Sequence, residues 1–140
     1  GAETGFARNL AFIIGIDNYQ NGISPLKTAV NDAKKLIEVL REKHKYQTWI
    51  CLDNVATLSN LNKLLEETLP TQVTEHDRLL FYFAGHGVAL NGDDGPVGYL
   101  IPQDAKLHDT KSYLPMTKLH SALSKLPCRH FLGILDCCFA

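Results

Sequence analysis

RLLFYFA, residues 78–84, is an almost unbroken run of apolar side chains. Such a run indicates a strand with both faces buried, because a strand with one wet face would alternate apolar and polar residues. LAFIIGI, residues 10–16, has the same character, and YQTWICL (46–52) and HFLGIL (130–135) are predicted as further strands, the latter in the core. Strands of this kind are typical of parallel sheets that helices cover on both sides.

Amphipathic helices are predicted between these strands. The first covers about residues 28–44, a second is expected from about residue 58 until Pro70 stops it, and a third follows the apolar piece VGYLIP (97–102). Their apolar residues recur at helical spacing: Val30, Ala33, Leu36, Ile37 and Leu40, then Leu58, Leu61, Leu64, Leu65 and Leu69, then Leu119, Leu123 and Leu126. GHGVALNGDDGP, residues 85–96, is interpreted as a loop. This order predicts an α/β fold, a three-layer sandwich with a mainly parallel central sheet flanked by helices.

Composition narrows the class of protein. The 140 residues suit one domain, and a formal net charge of −1 offers no basic field for nucleic acid. No apolar run of about 18 residues is present, so no membrane span is predicted. Four cysteines without disulfide-like spacing favour free thiols and a cytoplasmic location.

The ends of the sequence are interpreted separately from the domain. Residues 1–8 begin with Gly and are interpreted as a tag remnant or N-terminal segment, which leaves residues 9–140 as the domain. Because the sequence ends directly after a strand, where an α/β domain would continue, we expect the domain to be incomplete.

Reactive side chains follow two of the predicted strands. His86 comes after residues 78–84, and Asp136, Cys137 and Cys138 come after residues 130–135. Because the carboxyl ends of parallel strands meet at one edge of a sheet, we expect these groups to lie close together. A thiol within reach of an imidazole is the minimum equipment of a cysteine hydrolase. Beside His86, Gly87 could offer its N–H, together with that of the nucleophile, to an oxyanion.

Each motif also has a simpler interpretation. The Gly-His-Gly turn is compatible with an ordinary loop, and a cysteine pair is compatible with burial as small apolar side chains. A zinc site is a third alternative. It would draw on Cys128, His130, Cys137, Cys138 and His86. It is disfavoured because adjacent residues of a strand point to opposite faces and make poor joint ligands.

Five segments, in order, carry a family resemblance. They are AFIIGIDNY (11–19), AVNDAKKL (29–36), LLFYFAGHG (79–87), GYLIPQDA (98–105) and ILDCC (134–138). From residue 9 to residue 140 the sequence resembles caspase-like cysteine peptidases, in detail metacaspases and their bacterial relatives, the orthocaspases. The resemblance implies the large catalytic portion of such an endopeptidase, with the smaller C-terminal portion missing.

The resemblance also assigns roles to residues. Metacaspases have a D-x-C pattern that places the nucleophile at Cys138, with His86 as its partner and the Gly87 and Cys138 amides at the oxyanion. Strand alternation agrees, because Asp136 and Cys138 then share a face while Cys137 points to the other. Asp32 and Asp136 match acidic positions of the substrate pocket, which implies cleavage after Arg or Lys. Two departures are Cys137, where serine is usual, and Phe139, where histidine is frequent.

Ligands and partners follow from the same resemblance. It implies a peptide or protein substrate, no organic cofactor, and calcium as a candidate activator. Asp93 and Asp94 are two weak calcium candidates, and no metal site is identified in this segment. The competing interpretation is a catalytically inactive caspase-like scaffold module in a larger multidomain protein.

Overall fold

The computed structural model describes residues 8–139. Within them, six strands form one sheet in the order β2-β1-β3-β4-β5, with β6 also paired to β3. The strands are β1 (Arg8–Gly15), β2 (Gln47–Leu52), β3 (Asp77–Gly92), β4 (Gly95–Leu100), β5 (Leu114–Pro115) and β6 (His130–Phe139). The helices are α1 (Ala29–His44), α2 (Leu58–Lys63), α3 (Leu69–Gln72) and α4 (Met116–Ser124), with a π-helical turn over Leu64–Thr68 and 3-10 turns over Asp53–Val55 and Thr110–Ser112.

Helices cover both faces of the sheet, as the sequence predicts. Alternate residues of β1 and β3 point to opposite sides, so that Phe12 and Phe81 belong to one buried core and Ile13 and Tyr82 to another. The first core is closed by the helical segment from residue 58 to residue 72 and by α4, and the second by α1. β2, β1, β3 and β6 are parallel, which confirms the predicted α/β sandwich with a mainly parallel sheet.

The helix that follows residue 58 does not stop at Pro70, which corrects the prediction. Helical structure continues to Gln72, because a π-helical turn precedes the proline. In that turn the N–H of Leu69 donates to the carbonyl of Leu64, five residues back. The wider turn moves the preceding carbonyls away from the proline ring, which would otherwise clash with them.

Residues 85–92 are not a loop, which is a second correction. β3 continues through them to Gly92 and forms an antiparallel hairpin with β4. β3 pairs with β1 as far as Ala84 and with β4 from Gly87 onward. His86 therefore lies within β3, at the point where its neighbour on one side changes from β1 to β4.

β6 is an edge strand, whereas the sequence predicted a core strand. Among the described residues it pairs only with β3, and much of its apolar surface is uncovered. Four large apolar side chains are consequently exposed on it: Phe131 (45%), Leu132 (58%), Ile134 (37%) and Leu135 (43%). The apolar run correctly indicated a strand, but it did not reveal what covers that strand.

Two further predictions concern the ends of the chain and the membrane. Residues 1–8 were interpreted as a tag remnant or N-terminal segment, and residues 1–7 lie outside the described residues. Arg8 begins β1 and pairs in register with Asp77. Over residues 8–139, no helix combines the length and apolar character needed to cross a membrane.

Candidate active site

His86 and Cys138 occupy facing positions on adjacent strands. They are partners in the parallel register of β3 and β6, so that their side chains leave the sheet on the same face. The imidazole Nδ1 lies 3.2 Å from the backbone oxygen of Cys138. Cys138 is exposed, whereas His86 retains only 9% of its accessible surface. The structure thus brings an accessible thiol and a sheltered imidazole to one place.

A second carbonyl faces the other ring nitrogen of His86. Nε2 donates to the backbone oxygen of Ser24 at 2.8 Å. Both ring nitrogens therefore face backbone carbonyl oxygens, which can only accept hydrogen bonds. Ser24 did not emerge from the sequence, because a backbone carbonyl leaves no residue-specific signal.

Tyr19 holds the backbone of His86. Its hydroxyl accepts a hydrogen bond from the N–H of His86 at 2.9 Å and donates one to the carbonyl of Ile101 at 2.8 Å. The two rings lie 4.8 Å apart. Burial raises the pKa of Tyr19 well above its ordinary value, so its hydroxyl stays protonated. A Cβ on Gly85 would lie 2.6 Å from this hydroxyl, which explains why glycine precedes the histidine.

The two adjacent cysteines have different environments. Cys137 packs against the core that contains Phe12 and Phe81, while Cys138 is exposed. Burial, followed by the charges of Asp136 and Cys138, raises the pKa of Cys137 to about 11. Cys137 is therefore a thiol at neutral pH and a poor nucleophile.

Two carboxylates near Cys138, those of Asp136 and Asp32, affect the pKa of Tyr82. The hydroxyl of Tyr82 donates to Asp136 Oδ2 at 3.3 Å. Burial raises the pKa of Tyr82 to about 12, and the charge and hydrogen bond of Asp136, followed by the charge of Asp32, contribute to the increase. Tyr82 and Asp136 point to the α1 side of the sheet, where Asp32 lies in the first turn of α1. Asp32, Tyr82 and Asp136 form a group that we call the acidic cluster.

The acidic cluster lies next to Cys138. Asp136 is two residues before Cys138 on β6, so both side chains share a face of the strand. The two carboxylates were predicted from the sequence. Tyr82 was not, because in the sequence it is indistinguishable from an ordinary core residue of a buried strand.

The loop that carries Ser24 is tied to α1 by Asp17. The side-chain oxygens of Asp17 accept from the N–H groups of Ala29 and Val30 at 2.8 and 3.2 Å, at the start of α1. The Asp17 carbonyl accepts from Leu26 at 2.8 Å. Asp53 Oδ1 in turn accepts from the N–H of Asp17 at 2.9 Å. These bonds set the position of the Ser24 carbonyl.

A metal site does not emerge from residues 8–139, where no three His, Cys, Asp or Glu side chains are grouped to hold an ion. The residues considered for zinc do not form such a group, and all four cysteines are free. Asp93 and Asp94 lie in the turn between β3 and β4 and have no third ligand there. Calcium as an activator stays a prediction.

The comparisons with known proteins place this chain in a family. A cysteine and a histidine at facing positions of neighbouring strands are the two side chains that the chemistry of a cysteine hydrolase needs. The model of the family described as caspase domain matches residues 8–140, and the chain belongs to this family. A search of curated proteins found no match.

A solved structure gives the same fold. The chain is similar to the crystal structure of protein GSU0716 from Geobacter sulfurreducens, with a TM-score of 0.75 and 16% sequence identity. The similarity covers 94% of this chain and 50% of that one, so the chain spans about half the length of this neighbour.

Proposed function

We propose that this chain is the catalytic portion of a metacaspase-like cysteine endopeptidase that cleaves after Arg or Lys. Membership of the caspase domain family supports a cysteine-peptidase type of function. The observation that carries the proposal is the pairing of His86 with the exposed Cys138, with the acidic cluster beside them. A peptide or protein is the proposed substrate, and a smaller C-terminal portion of the same protein is the proposed partner.

The reaction is acyl transfer. The Cys138 thiol gives its proton to His86, and its sulfur attacks the carbonyl carbon of the scissile bond. The amides of Gly87 and Cys138 donate to the oxyanion that forms. The carbon–nitrogen bond then breaks as His86 protonates the leaving amine, which leaves a thioester on Cys138. Water, deprotonated by His86, hydrolyses this thioester and restores the thiol.

The acidic cluster would select the residue before the scissile bond. Asp32 and Asp136 present negative charge on the Cys138 face of the sheet, which attracts a guanidinium or ammonium group and repels a carboxylate. The Tyr82 hydroxyl holds Asp136. Replacing both aspartates by asparagine should lower kcat/KM for an arginine substrate about 10- to 100-fold, since hydrogen bonds between charged groups contribute about 1.5–3 kcal/mol.

The test uses the full-length protein and peptides with Arg, Lys or Asp before the bond. We expect cleavage after Arg and Lys only, at least about 1,000-fold loss in Cys138→Ala and His86→Ala, and retained activity in Cys137→Ala as the matched control. An arginine chloromethyl ketone should alkylate Cys138, as located by mass spectrometry. If none of the three peptides is cleaved and Cys138 is not alkylated, the result would favour the alternative of a catalytically inactive scaffold module. Cleavage after Asp would refute the role of the acidic cluster.

A cytoplasmic location stays a prediction. The four cysteines, which are all free, support it, because free thiols persist in reducing compartments.

A further inference from the structure

A cavity of about 300 Å³ borders His86, and Cys138 is not among the residues that line it. Its lining includes Ile23, Ser24, His86, Gly87, Ile101 and Leu107. Nδ1 of the imidazole faces the Cys138 carbonyl, while Nε2 faces the carbonyl of Ser24 in the cavity wall. The two ring nitrogens of His86 therefore face the Cys138 backbone and the cavity wall respectively.

The cavity and the acidic cluster lie on different sides of the proposed dyad. Asp136 lies on β6 and contacts Tyr82 on β3. The cavity is bounded instead by Ile101, which directly follows β4 and donates its N–H to the carbonyl of His86 at 3.0 Å. A peptide chain that places a basic side chain at the acidic cluster and its carbonyl at Cys138 would continue past His86 toward this cavity.

The chemistry of the cavity wall differs from that of the acidic cluster. Its side chains are mainly apolar and include Ile23, Val88, Ile101 and Leu107. Among the described residues that line it there is no carboxylate, ammonium or guanidinium group. Its volume is at the lower end of ligand sites, which are about 300–1,000 Å³, so it suits one apolar side chain rather than a long segment.

Two loops hold the cavity open. The N–H of Leu107 donates to the carbonyl of Asn21 at 3.1 Å, and that of His108 donates to the Tyr113 hydroxyl at 3.0 Å. The first bond holds residue 107 against residue 21, and the second holds residue 108 against Tyr113, which also lines the cavity. These bonds keep the walls of the cavity in place, as in a largely pre-formed binding site.

We propose that this cavity binds the side chain of the residue immediately after the scissile bond and selects an apolar residue there. The inference rests on the proposed function. The amine of that residue takes its proton from His86, so its side chain leaves the bond next to the imidazole and the cavity. Burial of a leucine or phenylalanine side chain against Ile23, Ile101 and Leu107 then provides the selectivity.

The experiment measures kcat/KM of the full-length protein on peptides with Arg before the bond and Leu, Phe, Ala, Asp or Lys after it. An arginine aminocoumarin amide, which carries no amino-acid side chain after the bond, shows whether the dyad and the acidic cluster are active. We expect Leu and Phe to exceed Ala and Asp by about 10-fold or more, since even one methylene group in an apolar pocket changes kcat/KM by about 10- to 200-fold.

A variant tests the cavity directly. Leu107 is 48% exposed, so Leu107→Asp should fold, and it should replace the preference for Leu by a preference for Lys. The matched control is Val39→Asp, at an exposed position of α1, which should keep the wild-type ratio of Leu to Lys peptides. Cleavage of the coumarin substrate with equal kcat/KM for Leu, Ala and Asp peptides would overturn the inference and leave the proposed function standing. Failure to cleave any of these substrates, the coumarin included, would overturn both.

Discussion

The hydroxyl of Tyr19 is a single group that connects His86 to the hairpin. It bridges the N–H of His86 and the carbonyl of Ile101 inside the protein, where neither group has access to water as a replacement partner. Tyr19→Phe keeps the ring against the imidazole but removes both bonds. We expect a loss of stability of about 1–3 kcal/mol, the cost of unsatisfied buried polar groups.

The activity of Tyr19→Phe distinguishes positioning from simple destabilisation. Because the hydroxyl sets the backbone of His86 rather than touching substrate, kcat should fall while KM changes little. Urea unfolding and steady-state kinetics on an arginine peptide provide both values. Tyr46→Phe, at a half-buried tyrosine beside the α1-side core, is the matched control and should change neither by much. An unchanged kcat in Tyr19→Phe would show that the hydroxyl only stabilises the fold.

Candidate side chains for the site were easier to select from the sequence than the backbone groups that surround them. His86, Cys138, Asp32 and Asp136 could be selected from residue type and strand position, and the structure places them around one end of the parallel strands. The Ser24 carbonyl could not be selected, because every residue has a carbonyl. Its direction depends on a loop whose shape is set by hydrogen bonds to Asp17 and Asp53.

At the scale of elements, the pairing of β1 with β3 is reinforced at its start by an ion pair. Arg8 Nη2 lies 2.8 Å from Asp77 Oδ2, and Asp77 also accepts from the N–H of Thr74 at 2.7 Å. Burial alone would raise the pKa of Asp77, but the bonds from Arg8 and Thr74 outweigh it and hold the pKa below its ordinary value. The ionised carboxylate is therefore part of the folded structure.

The lowered pKa of Asp77 predicts acid sensitivity with a definite sign. A carboxyl whose pKa is lower in the folded state stabilises the protein above its unfolded pKa, near 4, and loses this contribution as pH falls below that value. Thermal unfolding of Asp77→Asn should show reduced stability at pH 7 and a smaller further loss between pH 5 and pH 3. Asp93→Asn, at an exposed turn, is the matched control. Equal acid sensitivity of wild type and Asp77→Asn would contradict the assignment.

Helices and strands were predicted well where the pattern of apolar residues within the segment determines the structure. They were predicted poorly where contacts with another element determine it. Helical spacing located α1 within a residue of its start, and apolar runs located β1 and β3. Pro70 was wrongly predicted to end the helix, because a π-helical turn before it removes the usual clash between the proline ring and a preceding carbonyl. Residues 85–92 looked like a loop from their glycines, yet pairing with β4 makes them a strand.

At the scale of the whole molecule, the proposed site lies at the least covered part of the sheet. β3 has β1 and β4 on one side and β6 on the other, and β6 has no further neighbour among residues 8–139. Asp136 and Cys138 are thus carried by a strand that exposes much of its apolar surface. In the proposed peptidase, the smaller C-terminal portion would cover this edge and complete the substrate site.

The open edge predicts self-association of the 140-residue chain in isolation. An exposed apolar edge strand offers unpaired backbone groups and apolar side chains to a second copy. Leu132 is 58% exposed on β6, so Leu132→Lys should leave the fold intact and shift the chain toward monomer, as measured by sedimentation over a range of concentrations. Val55→Lys is the matched control, since Val55 is 51% exposed in the 3-10 turn after β2, away from β6. In a longer polypeptide whose C-terminal portion covers β6, self-association should be absent and Leu132→Lys should instead destabilise the protein. A concentration-independent monomer of the isolated wild-type chain would show that the edge is protected without any partner.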